Sequence, residues 1–131
     1  MSQPLAGDVL VVDDDPVLVE LIADVLHKEG YAVRRVYNGV EGLMAIAADP
    51  PALVLLDLQI PYLNGGEVLA QVRTAHPDLP VVLITAIPEL ATPYMELHQV
   101  QCIAKPFSLD ELLDCVARYV QPQRARQFRA D

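Results

Sequence analysis

The sequence predicts a doubly wound α/β domain, a five-stranded parallel sheet with helices on both faces. Three observations carry that expectation. Five short apolar runs alternate with stretches of helical periodicity, joined by short connections. Three of the runs are apolar almost without a break, which suits parallel strands covered on both faces better than a sheet with one wet side. The chain has 131 residues, 53% of them hydrophobic, enough for one well-buried core and too few for two comfortable ones.

The strand candidates are VLVV (Val9 to Val12), YAVRRV (Tyr31 to Val36), ALVLLD (Ala52 to Asp57), VVLIT (Val81 to Thr85) and CIAK (Cys102 to Lys105). Between the first two, Asp15 suits an N-cap and Pro16 a first helical position. Leu18, Leu21, Ile22, Val25 and Leu26 then recur on one face until Gly30. Asn38 with Glu41 opens a second helix. Asn64-Gly65-Gly66 reads as the turn into a third, in which Gly66 to His76 carries Val68, Leu69 and Val72 until Pro77 stops it. Pro88 and Pro93 interrupt the fourth helical slot, so a late-starting or irregular element of about two turns from Tyr94 is expected. Ser108 and Glu111 form a capping box for the last helix, with Phe107 and Leu112 as a hydrophobic staple. That helix runs through Leu113 and Val116 toward Tyr119.

A net charge of −9 opposes direct binding to nucleic acid unless basic residues cluster on one face. They gather only in QPQRARQFRAD, where Arg124, Arg126 and Arg129 read as a solvated tail. Cys102 and Cys115 are far from any CxxC or Cys/His ligand spacing, so reduced, partly buried thiols are expected and neither a zinc site nor a disulfide framework. The opening MSQPLAG lacks the charged-then-apolar pattern of a leader. No apolar run approaches the roughly 20 residues that span a bilayer. A cytoplasmic protein with no membrane partner is the expectation.

Ligands of an open parallel α/β sheet bind beyond the carboxyl ends of the strands, beside the point where strand order reverses. There the sequence places Asp13, Asp14 and Asp15 after the first run, Asp57 after the third, Thr85 after the fourth and Lys105 after the fifth. Each alone has a plain structural explanation: a helix cap, a loop bond, a β-branched strand residue, a solvated lysine. Their joint placement on one rim favours chemistry. Neighbouring carboxylates repel by about 1 kcal/mol per pair at roughly 4 Å in water, and several times that where partly buried. A hard divalent cation compensates. Mg²⁺ takes carboxylate and carbonyl oxygens and fills its remaining positions with water or phosphate oxygen, and no Cys or His at the rim suggests zinc or copper. A phosphoryl group arriving at Asp57 would need an ammonium and a hydroxyl besides that cation, and Lys105 and Thr85 provide them.

The segments VLVVDDDP, LVLLDLQIPYLNGG, VVLITA and IAKPF, in that order, resemble the receiver domain of two-component response regulators. The resemblance runs from Val9 to Phe107, and the helical pattern extends it to about Val120. It implies the flavodoxin-like strand order 2-1-3-4-5. It also implies that Asp57 is the phosphoacceptor and that Asp13 and Asp14 hold Mg²⁺, or Mn²⁺ in its place, together with Asp57 and the backbone carbonyl of Gln59. Thr85 becomes the hydroxyl that swings toward the phosphoryl group, and Lys105 the cation paired with it, followed by a cis bond to Pro106. Asp15 is assigned to capping first. The implied phosphodonor is a phosphohistidine on a histidine kinase or a histidine phosphotransfer protein, and the output is contact with a downstream protein or a phosphorylation-dependent homodimer. Such a protein catalyses only its own phosphorylation and dephosphorylation and is not a turnover enzyme.

Two positions depart from the family pattern. Receivers usually carry Tyr or Phe where Cys102 stands, so the aromatic half of their switch is altered. Pro88 and Pro93 change the start of the fourth helix, part of the family's usual output face. Gln59 and Ile87 occupy positions that flank the acyl phosphate and are expected to set its lifetime. An interaction module that no longer accepts phosphate is the alternative, favoured by Cys102 and opposed by the intact acidic residues, Thr85 and Lys105. A haloacid-dehalogenase-like phosphatase would need a second Asp where Gln59 stands, and a nucleotide site would need a Gly-rich turn after the first strand. The expected organisation is an N-terminal extension (1–7), a stand-alone receiver (8–120) and a short polar tail or linker (121–131).

Overall fold

The computed structural model describes residues 4–60 and 63–122. Strands β1 (Asp8–Val12), β2 (Ala32–Val36), β3 (Leu53–Asp57), β4 (Val81–Thr85) and β5 (Gln101–Ala104) alternate with helices α1 (Pro16–Lys28), α2 (Gly39–Ala48), α3 (Gly65–Ala75), α4 (Thr92–His98) and α5 (Leu109–Ala117). Every pairing is parallel, as the apolar runs predict, and the order is β2-β1-β3-β4-β5, as the family resemblance implies. The most continuous apolar runs are the inner strands, and β3 and β4 are buried from end to end. The less continuous β2 and β5 form the edges.

Alternation along each strand sorts side chains to two faces. Val9, Val11, Leu53, Leu55, Val82 and Ile84 meet Val19, Ile22 and Leu26 of α1 and Leu112, Cys115 and Val116 of α5. Leu10, Val12, Val54, Leu56, Val81 and Leu83 face Ile46 of α2 and Val68, Leu69 and Val72 of α3. The register sets Val12 beside Leu56, Asp57 beside Ile84 and Thr85 beside Ala104. The carboxyl ends of the central strands are therefore nearly level. Chain direction reverses its march across the sheet between β1 and β3, so β1 and β3 share the crevice.

Caps fix where the helices start. Asp15 accepts from the Val17 and Leu18 amides, Asn38 from the Glu41 amide, Asn64 from the Glu67 amide, and Ser108 and Glu111 close the capping box. Phe107 and Leu112 pack into the same core cluster, as a staple requires. The Lys105–Pro106 bond is cis.

Several boundaries and one face differ from expectation. The buried stripe of α1 is Val19, Ile22, Ala23 and Leu26, while Leu21 is 50% exposed. An apolar set of Leu18, Leu21, Ile22, Val25 and Leu26 covers too wide an arc for one contact face, and Val19 takes the inward position. Helix α3 starts at Gly65, immediately after its Asn64 cap, and not at Gly66. Helix α4 starts at Thr92, before Tyr94, because Pro93 lies in the first turn, where its missing N–H has no helical partner to lose. A separate 3₁₀ turn at Pro88–Leu90 precedes it. Strand β2 omits Tyr31 and β3 omits Ala52, while β5 ends at Ala104 and leaves Lys105 just beyond the sheet.

The two ends of the described chain meet. Leu5 donates its N–H to the Tyr119 carbonyl and accepts from the Gln121 N–H, both at 2.9 Å, and bridges Val120. Pro61 and Tyr62, and Arg124, Arg126 and Arg129 of the basic tail, lie outside the described residues. Among those described, no helix is long and apolar enough to cross a membrane.

Candidate functional site

The rim is assembled by strand ends. Asp13 follows β1 and donates its N–H to the Val36 carbonyl at 3.3 Å, which carries the β1–β2 ladder one residue past the strand. Asp57 closes β3 between β1 and β4, and Lys105 donates its N–H to the Thr85 carbonyl at 2.8 Å. These backbone anchors aim three side chains at one another. The Lys105 ammonium donates to Asp13 Oδ2 at 2.9 Å and to Asp57 Oδ2 at 3.2 Å. The remaining oxygens are also engaged: Asp13 Oδ1 accepts from the Asp15 N–H at 3.0 Å and Asp57 Oδ1 from the Gln59 N–H at 2.9 Å.

Asp13 is 2% exposed and Asp57 4%, whereas Asp14 is open to solvent. Carboxylate oxygens of all three lie within 4.8 Å of one another. Burial is the largest influence on Asp57, and with the charge of Asp13 it raises the carboxyl from 3.8 to about 6, against the Gln59 N–H and Lys105, which pull it down. Burial alone would lower the Lys105 ammonium, but the hydrogen bonds and charges of Asp13 and Asp57 outweigh it and hold it above its ordinary value. Three carboxylates facing one ammonium leave negative charge uncompensated in a partly dry crevice. The clustered ligand atoms are all hard carboxylate oxygens, with no Cys or His among them, and such a group fits Mg²⁺ or Mn²⁺ better than a softer metal.

The other expected residues stand nearby in different states. Thr85 is fully buried, and its hydroxyl is held by the next loop: it accepts from the Ile87 N–H at 3.0 Å and donates to the Ile87 carbonyl at 3.3 Å. Its oxygen is thus committed to β4's exit loop and makes no hydrogen bond to Asp57. Gln59 is exposed and Ile87 is 42% exposed, each two residues past the end of its strand, β3 and β4. Cys102 faces the cluster of α2, α3 and α4, and burial pushes its thiol up from 9.0. Asp15 is spent on capping. Both cysteines are free.

Residues 9–117 match the family described as the response regulator receiver domain. The chain belongs to that family. As a receiver it is part of the regulators of two-component signalling rather than a classical enzyme. Sporulation initiation phosphotransferase F of Bacillus subtilis is 35% identical over 86% of this chain and 92% of its own length. The receiver domain of NtrX from Brucella abortus superposes with a TM-score of 0.81 at 33% identity, covering 86% of this receiver and 98% of that chain. TrrA from Thermotoga maritima, solved in complex with Mg²⁺–BeF, gives 0.81 at 31% identity over 87% of this receiver and 99% of that chain. Other curated relatives are longer, and this receiver spans 28% of one and 55% of another.

Three residues beside the site were not among those expected. Gly65 packs against the backbone of Asp57 and Leu58, Gly66 packs against Tyr94, and Tyr94 lines a 140 Å³ cavity with Leu58, Gln59, Asn64 and Leu90. The sequence held one hint: two glycines directly after a helix cap sacrifice helix propensity, which is consistent with close packing.

Proposed function

We propose that this receiver accepts a phosphoryl group from a phosphohistidine onto Asp57 and signals by protein contact. The observation that carries the reading is a buried carboxylate at the end of the central strand that shares one ammonium with a second buried carboxylate. An Asp57 carboxylate oxygen attacks phosphorus, the P–O bond forms, and the P–N bond breaks with its electron pair leaving on the imidazole. Lys105 sits where the phosphoryl oxygens gather negative charge, and it exchanges part of its contact with Asp57 for them. Thr85 releases Ile87 and turns its hydroxyl to the same oxygens. Asp13, Asp14, Asp57 and the Gln59 carbonyl would hold Mg²⁺ or Mn²⁺, which when bound supplies further positive charge to the phosphoryl group. The relative solved with Mg²⁺–BeF supports this assignment of roles.

The donor is a histidine kinase or a histidine phosphotransfer protein. The downstream protein meets the surface altered by phosphorylation, which also serves a homodimer. Incubation with Mg²⁺ and acetyl phosphate tests the reading by mass spectrometry. One added phosphoryl group, absent from Asp57→Asn, is expected. No adduct with acetyl phosphate, phosphoramidate or a phosphorylated kinase would replace this reading with the interaction module that Cys102 favours.

A further inference from the structure

Gly65 and Gly66 open α3, and each is pressed against a different neighbour. A β-carbon on Gly65 would lie 2.6 Å from the Asp57 carbonyl oxygen and 2.6 Å from the Leu58 Cα, and the Gly65 N–H donates to the Leu58 carbonyl at 3.1 Å. A β-carbon on Gly66 would run into Cζ and Oη of Tyr94. Two adjacent residues thus join the backbone of Asp57 to the first turn of α3, and that turn to a ring on α4. Neither contact has slack.

Helix α4 is the element least able to resist a push. It has seven residues, no side-chain cap and no buried residue of its own. Its far end is tied to α3 by a bond at 3.4 Å from Arg73 Nε to the His98 carbonyl. Its approach, the turn at Pro88–Leu90, follows Ile87, whose backbone the Thr85 hydroxyl grips through both N–H and C=O. Leu90 and Leu97 are exposed on this same segment, so a shift of α4 repositions apolar surface. At Cys102 no ring is available to carry the state of the site to that surface.

We propose that Gly65, Gly66 and Tyr94 form the route by which the state of Asp57 reaches α4, with Tyr94 as the reporting ring. The inference rests on Asp57 being the phosphoacceptor. A group added to the carboxylate displaces the Asp57–Leu58 backbone, the first turn of α3 follows through Gly65, and Tyr94 is lifted from Gly66. Tyr94 is a positioning residue, not a catalytic one.

The test uses the full chain labelled with 3-fluorotyrosine, with the Tyr94 signal assigned through Tyr94→Phe. Mg²⁺, beryllium and fluoride are added as the probe of Asp57. Fluorine NMR then reads two things in one spectrum: protein-bound beryllofluoride, absent in Asp57→Asn, and the surroundings of Tyr94. A shift of the Tyr94 signal on loading, lost in Gly66→Ala while bound beryllofluoride persists, is expected. Absence of bound beryllofluoride in the wild type would overturn the phosphoacceptor reading, and bound beryllofluoride with an unmoved Tyr94 signal would overturn the present inference alone. Tyr94→Ala, a change at a half-buried ring on a marginal helix, gives a second measurement. Loading should speed amide exchange across 92–98 by roughly fivefold or more in the wild type and by less than about twofold in Tyr94→Ala. Equal acceleration in both would overturn the route.

Discussion

Asp57 concentrates the tension of the site. Because its carboxyl is raised from 3.8 to about 6, mainly by burial, the native state holds a proton between those values that the unfolded chain has released. Stability without divalent cation therefore falls as pH rises through that window and stays at the lower level above it. Asp57→Asn should remove this dependence and raise stability at pH 7 by about 1–3 kcal/mol, read from urea midpoints at constant slope. A wild-type midpoint that holds constant from pH 4 to 8 would contradict the assignment. Ile87, exposed beside the site, is predicted to shield the acyl phosphate from water, so Ile87→Glu should change the hydrolysis rate of phosphorylated protein by about tenfold, followed by mass spectrometry. An unchanged rate would remove Ile87 from that role. The sequence showed that Asp13, Asp14, Asp57 and Lys105 share a rim, because apolar runs mark where strands end and strand ends mark the rim. It could not show that the Thr85 hydroxyl faces Ile87, since a rotamer is chosen by neighbours that spacing does not reveal.

At the scale of elements, caps were the most readable features. Asp15, Asn38 and Ser108 bond to amides two or three residues onward, so their signals are local. Ser108→Ala should cost about 1 kcal/mol, because it leaves the Glu111 amide without its acceptor and opens the box, and chemical denaturation would measure it. A loss under about 0.3 kcal/mol would mean that solvent replaces the cap. The packing face of α1 was less readable. Leu21 and Val19 differ in apolar character too little for periodicity to choose between them, and the sheet beneath decides. Proline in α4 was read as a barrier, although a first turn tolerates it. The contact of Tyr94 with Gly66 was beyond reach, because it joins residues far apart in sequence through two different helices.

For the whole molecule, the order of strands followed from the family resemblance and the covered inner strands, while the meeting of Leu5 with Tyr119, Val120 and Gln121 did not. Leu5 belongs to a segment with no periodicity, and its two hydrogen bonds to Tyr119 and Gln121, just past α5, are made by backbone atoms. Removal of residues 1–5 should lower stability by about 1–3 kcal/mol for two lost hydrogen bonds, with no change in the response to beryllofluoride. Fluorescence-monitored or circular-dichroism melting of the shortened chain would show it. The clasp also has a topological consequence. It joins the strand-amino side of the sheet, while Asp57 closes the carboxyl side some 17 Å away, by five residues of β1 at about 3.3 Å each. Because Leu5 and Val120 are neighbours, a circular permutant that joins the segments at Leu5 and Val120 by a short linker, with new ends cut in an exposed connection, is expected to keep the fold. A sensor domain inserted at the clasp would likewise sit at the pole opposite Asp57 and leave the carboxyl-end rim open.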